Sequence, residues 1–456
     1  MKRLFLVALA VSTATLATAQ TDVDALMKAG KLNEAVAELT TQITGQPNND
    51  ALLVKRGECF FAMDRYSDAM EDLDKAIEKN NKNGRAYARR SQLMQTIERP
   101  DDCLQDINKA IEYDDKAEYH FFRGSLYAAA RLNTQAILDF TEAIAKGYTQ
   151  PEVYYNRAVS EFADNRVYEA KQDCDKAIGM DDKWADPLIM RSQLKLTDLD
   201  LDGACADAKK GLTLLKQPYN DTLLFYCNHR DYPTYFTLGI EFEQKQLFEA
   251  AAKAYSKCLD LHPDSSQMYV SRGAMYQNLR MYDKAEADYL KAESKGIKNE
   301  LLYYNWALMK LVQEDYKKAF DNFDKVVKFT PKESQTAALY FQRGYCASKL
   351  ANYDQAMSDY TAAIKMDSAQ YAAFGHRSYL KFIKKQYAEA KADAQKSLDI
   401  YPDYAYGHLM RGKIRHEMKE PEACEELQLA HDGGSPEAQA LLKEICGKDV
   451  APLPKN

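Results

Sequence analysis

A small residue recurs along this chain at Gly57, Ser91, Gly124, Ala158, Ser192, Gly239, Gly273, Ala307, Gly344, Ser378 and Gly412; seven of the ten intervals are 34 residues, the others 33, 47 and 37. Twelve residues after each stands another: Ala69, Cys103, Ala136, Ala170, Ala204, Ala251, Ala285, Ala319, Ala356, Ala390 and Cys424. Only Gly, Ala or Ser fills the first place and only Ala or Cys the second. Two helices that cross at close range need such a pair, because a larger side chain at either place holds their axes apart. Repeated eleven times, the pairing predicts an all-α chain of stacked helical hairpins. It also removes a size limit. A chain of 456 residues would ordinarily split into globular domains, whereas a repeat array packs each unit only on its neighbours.

Further positions repeat with the same period. An aromatic residue precedes the first small residue by four in Tyr87, Tyr154, Tyr235, Tyr269, Tyr303, Tyr340 and Phe374, and a closing proline stands at Pro47, Pro263, Pro331 and Pro402. Proline cannot continue a helix, so it marks where the second helix of a hairpin stops. Together these residues resemble the tetratricopeptide repeat over about residues 30–446. In that family the two small residues are the eighth and twentieth positions of a helix–turn–helix unit. The resemblance implies a right-handed α-solenoid: a degenerate N-terminal repeat in 20–49, repeats one to five in 50–216, repeats six to eleven in 232–436, a capping helix in 437–446 and a tail in 447–456. The interval of 47 leaves an insertion at 217–231. Its apolar run Leu223–Cys227 suits a short packed helix better than an open hinge between lobes of five and six repeats.

The first nineteen residues read as a signal peptide: Lys2 and Arg3, the apolar Leu4–Ala10, then Ala17-Thr18-Ala19 before the expected cleavage at Gln20. Export to the periplasm or beyond is therefore expected. Removing Lys2 and Arg3 moves the formal net charge from −7 to −9. No basic block offers to neutralise phosphates, so nucleic acid is not an expected partner. No later stretch is apolar for the ~18 residues that a membrane span requires.

Arginine stands just before the first small residue in most repeats, and aspartate fifteen residues beyond that small residue. The pairs are Arg56 and Asp72, Arg90 and Asp106, Arg123 and Asp139, Arg157 and Asp173, Arg191 and Asp207, Arg272 and Asp288, Arg343 and Asp359, and Arg377 and Asp393. Where Leu238 or Trp306 replaces the arginine, Ala254 or Asn322 replaces the aspartate; only Arg411, facing Leu427, breaks the rule. Losing both members costs less than leaving one charge buried alone. The pattern predicts structural ion pairs, within a repeat or between neighbours, rather than a basic ladder for an anionic ligand.

The resemblance also implies a concave groove built from positions five, nine and twelve of each first helix, a single stripe by helical spacing. By register it holds Phe61, Phe121, Tyr155, Phe162, Phe236, Tyr304, Phe341, Tyr345, Tyr379 and Phe382, with polar members such as Glu58, Gln92, Gln193 and Gln277. Aromatics mixed with amides suit an extended peptide or protein segment. They equally suit packing between adjacent first helices. The stripe is densest at Phe121–Phe162 and Phe341–Phe382.

Nine cysteines form no CxxC. Cys103, Cys174 and Cys258 read as small buried hydrophobes. Cys424 and Cys446 lie at opposite ends of two consecutive antiparallel helices, which predicts a disulfide closing the array. The histidines are scattered; His416 starts a sequence that lacks the second histidine of a zinc helix, and His408 has no carboxylate pair nearby in sequence. No metal site, cofactor site, phosphate loop or nucleophile elbow is found. The chain reads as a non-enzymatic scaffold of the cell envelope that binds a protein or peptide. The alternative is a soluble envelope glycan binder using the same aromatics.

Overall fold

The computed structural model describes residues 22–97, 100–216, 226–448, 450 and 451. The candidate signal peptide and most of the insertion, residues 217–225, lie outside the described residues. Those described are helical throughout with no strand. The chain divides into two compact units: Met1–Leu196 with Asp200–Cys227, and Asn228–Asn456 with Thr197–Leu199. In each, a 13-residue first helix such as Asp50–Ala62 or Glu300–Val312 is followed by an antiparallel second helix such as Tyr66–Lys79 or Tyr316–Phe329.

The small residues do what their size predicts. A Cβ on Gly239 would sit 2.5 Å from the Tyr255 ring, and one on Gly273 would sit 2.7 Å from Tyr289. Sixteen residues after the first small position, each first-helix glycine up to Gly344 faces Leu73, Phe140, Tyr255, Tyr289 or Tyr360. At the same spacing Ser192 and Ser378 are matched by Ala208 and Ala394, and Ser91 by Ile107. Volume lost on one helix is thus restored on the other, as close packing demands.

The turn between the two helices is equally regular. Asp64, Arg131, Asn165, Leu199, Gln246, Arg280, Glu314, Ala351, Lys385 and Lys419 all have φ between 55° and 60°. Each stands seven residues after its small residue, and none is glycine. The next amide bonds back to the first helix, as from Arg65 to the Phe60 carbonyl at 2.9 Å and from Asn352 to the Ala347 carbonyl at 2.8 Å. This closure satisfies carbonyls that the helix end would leave bare.

The irregular intervals map onto local features. The three extra residues before the ninth repeat form a 3₁₀ turn, Lys332–Ser334, pinned by the Gln335 amide on the Val327 and Thr330 carbonyls. The degenerate first unit has a six-residue helix, Val23–Lys28, ahead of Leu32–Gly45. The last helix, Pro436–Cys446, covers Leu427 and Ala430 with Ala438 and Leu442.

Candidate functional site

The periodic arginines bind within their own repeat and reach outside it. From Arg56–Asp72 to Arg377–Asp393, all eight pairs are bidentate, with N···O distances of 2.6–3.0 Å. The aspartates are buried. The remaining Nη1 donates to the second helix of the preceding repeat: to Thr40 from Arg56, Asp74 from Arg90, Asn108 from Arg123, Thr141 from Arg157, Asp175 from Arg191, Ser256 from Arg272, Asp324 from Arg343 and Thr361 from Arg377. Each guanidinium therefore clamps three helices, which its five-donor fork permits. Sequence reasoning missed the third contact. Its signal was partly present: sixteen residues before six of these eight arginines stands Thr, Ser or Asp, whereas Arg123 and Arg343 reach Asn108 and Asp324 at other spacings.

Arg411 corrects the expectation of an unpaired arginine. It binds Glu426 at 2.8 Å and Gln395 at 2.7 Å. The carboxylate has moved back by one residue, and glutamate's extra methylene restores the reach. His408 Nδ1 also meets Glu426, at 2.8 Å, a single carboxylate distant in sequence. Eleventh positions of first helices add a second cation to the same acids, Lys195 on Asp207 at 2.8 Å and Lys381 on Asp393 at 2.7 Å. In the fourth repeat that position is Glu161, buried beside Asp173, and its Oε2 has no hydrogen-bond partner. Burial and then the Asp173 charge raise its pKa to about 7.

Several consecutive first helices pack directly on one another, for example Ala117–Ala129 on Pro151–Ala163 and Tyr371–Ile383 on Ala405–Glu417. Among the described residues no two consecutive second helices pack comparably. Within each unit the first helices therefore form the inner row. All ten stripe aromatics are half-buried. Phe121 stacks on Tyr148 at 4.6 Å and meets Phe140 at 5.9 Å; Tyr155 meets Trp184 at 4.9 Å. Phe61, Phe162, Tyr304, Tyr379 and Phe382 each pack on a core cluster, and Phe236 lies against Tyr232. Each ring is partly covered by the fold and partly open to solvent. Exposed apolar residues lie on the same first helices: Val159, Ile240, Leu301 and Val312.

In the second unit the rings converge on His376, with Phe341 and Tyr345 at 5.5 Å, Tyr360 at 5.8 Å and Tyr406 at 4.5 Å. Burial, then the nearby Lys349 charge, lower its pKa to about 4, so the imidazole is neutral at pH 7. The Tyr360 hydroxyl is buried without a hydrogen-bond partner.

Two disulfides are present. Cys424–Cys446 joins the last repeat to the closing helix with Cα atoms 5.9 Å apart, and Cys205–Cys227 ties the end of the insertion to the helix Leu201–Leu215 at 5.6 Å. The second pairing had no legible sequence signal. Cys59, Cys103, Cys174, Cys258 and Cys346 are free and buried. Among the described residues no group of three or more His, Cys, Asp or Glu is placed to hold a metal ion. None of their helices is long and apolar enough to cross a membrane.

Comparison with known proteins places tetratricopeptide repeats at residues 26–93, 232–265, 266–294 and 337–370. The chain is 24% identical over 236 residues to the Hsp70-Hsp90 organizing protein of Triticum aestivum, covering 44% of this chain and 41% of that protein. It is 24% identical over 328 residues to human DnaJ homolog subfamily C member 7, covering 62% and 66%. It thus spans less than two thirds of each. A crystal structure of a tetratricopeptide repeat protein from Parabacteroides merdae superposes with a TM-score of 0.34 at 22% identity, covering 56% of this chain and 96% of that one.

Proposed function

Starting from a chain that carries tetratricopeptide repeats, we propose that it is a non-enzymatic scaffold that binds an extended segment of another protein along its first-helix row. The observation that carries this reading is the composition of that row. Half-buried rings stand beside open Val159, Ile240, Leu301 and Val312. An apolar side chain held rigid by its neighbours and left open to water is what an interface supplies before its partner arrives. The periodic arginine and aspartate charges are used up inside the fold, in the arginine clamps. The names of the similar proteins, an Hsp70-Hsp90 organizer among them, describe roles toward other proteins. The proposed place of action is an oxidising compartment outside the cytosol. The signal-like N-terminus and the pairs Cys205–Cys227 and Cys424–Cys446 support it, since disulfides persist there.

The test is site-specific photo-crosslinking in extract of the source cells. A photo-reactive amino acid is placed at Val312 on the row, or at Tyr168, an exposed residue on the second helix Val167–Met180. Discrete adducts from position 312 and none from 168 are expected. Equal labelling at both positions rejects the row as the binding face. Truncating Phe121 is a poorer probe, because its stacking on Tyr148 is part of the fold.

A further inference from the structure

The chain holds 68 acidic residues, yet three neighbouring first helices of the second unit are almost free of them. Ala337–Lys349 and Tyr371–Ile383 contain no Asp or Glu, and Glu300–Val312 contains only its first residue, Glu300. The same helices carry five cations. Four are matched by carboxylates: Lys310 by Glu286, Arg343 by Asp359, and Arg377 and Lys381 by Asp393. Lys349 is the exception. Its ammonium lies over the rings of Tyr345 at 5.4 Å and Tyr316 at 5.8 Å, and no carboxylate among the described residues forms an ion pair with it.

The preceding first helix, Glu300–Val312, presents exposed apolar residues. Leu301 is 49% exposed and Val312 67% exposed; they are eleven residues apart, three helical turns, and so lie on one side of their helix. His376 adds a neutral ring. An ammonium held on two rings keeps a fixed position with only partial neutralisation, because the ring quadrupole attracts it less strongly than a carboxylate does.

We infer that the occupant of this face is an extended peptide segment of another protein that carries apolar side chains and a carboxylate, the carboxylate meeting Lys349. The inference rests on the row being the binding face. A basic segment would meet the unmatched Lys349 charge with no acid on these helices beyond Glu300 to offset it. A neutral apolar segment would leave that ammonium partly covered and unpaired, at a desolvation cost.

Three fluorescein-labelled decapeptides test it. They share Leu, Phe and Ser positions and differ only in two central residues, which are Asp, Asn or Lys. Anisotropy with the whole chain should rank them Asp, Asn, Lys in falling affinity, with each step about five- to tenfold, as expected for one partly desolvated charge pair. Lys349→Met should lower only the Asp peptide's affinity, to that of the Asn peptide, and Lys349→Glu should reverse the order. Equal binding of all three, or an order unmoved by Lys349→Glu, overturns the charge inference. Leu301→Asp/Val312→Asp, at exposed positions and checked for helicity by circular dichroism, separates the two failures. If peptides bind without regard to charge and this variant abolishes binding, the face stands and the acidic partner does not. If no peptide binds, or if binding survives in this variant, both fall.

Discussion

At the residue scale, the arginine clamp explains why arginine and aspartate come and go together. The pair Leu238 and Ala254 is fully apolar, and Trp306 stands over the neutral Asn322. Each substituted repeat is internally consistent, with no orphaned charge. Arg272→Met should therefore destabilise the protein by about 3 kcal/mol, since it strands the buried Asp288, and Arg272→Met/Asp288→Leu should recover most of that loss. Chemical denaturation of the four-member cycle checks this; additive losses would refute the coupling. Glu161 is the one acid at a position where four other repeats place a cation, Lys195, Lys310, Lys381 and Arg415. Its carboxyl takes up a proton at higher pH in the folded chain than in the unfolded one, being raised to about 7. A raised folded pKa gives stability that is complete below the ordinary glutamate value and is lost as pH rises through 7. The melting temperature of the wild type should thus fall between pH 5 and 8 relative to Glu161→Gln. Parallel profiles would show that Glu161 is ionised throughout.

At the element scale, the hairpin turn tolerates Asp, Arg, Leu, Glu and Lys in a left-handed conformation that usually falls to glycine. Packing of the two helices holds the turn, so the local preference is overridden about ten times over. The cost should show where the side chain is least suited. Ala351 is exposed and packs on nothing that matters, so Ala351→Val isolates the backbone effect and should destabilise by about 1–2 kcal/mol. An unchanged denaturation midpoint would mean that the turn residue moves out of that conformation freely. The helices themselves were readable in the sequence. Apolar spacing and paired small residues located them, because helix contacts within a hairpin repeat at constant separation. The groove stripe was readable only as a list of positions. Which edge of each ring packs on the core depends on the neighbouring hairpin, as Phe121 against Tyr148 shows.

At the scale of the whole molecule, a repeat array has a weakness at its ends, where a hairpin lacks the neighbour that would bury its outer face. Each of the two units closes its last full repeat with a disulfide spanning 22 residues, Cys205–Cys227 in one and Cys424–Cys446 in the other. Constraining a loop of that size in the unfolded chain is worth about 3 kcal/mol. Cys424→Ser/Cys446→Ser should accordingly lower the stability of the second unit by about that amount. Hydrogen exchange should show the loss concentrated in Ala423–Asp432 and Pro436–Cys446. Protection unchanged in those helices would show that packing of Leu427 and Leu442 closes the array unaided.

By itself the sequence determined the all-α hairpin architecture, its register, the pairing of arginine with aspartate and the Cys424–Cys446 staple. All of these follow from contacts at a fixed separation along the chain, and eleven copies make such separations visible. Only the tertiary structure decided the rest: that each arginine closes on the aspartate of its own repeat, the transfer of Arg411 to Glu426, the partner of Cys205 and the unmatched charge of Lys349 among its rings. Those depend on how successive hairpins lie against one another in space. That geometry sums many small packing terms and is written at no single spacing in the chain.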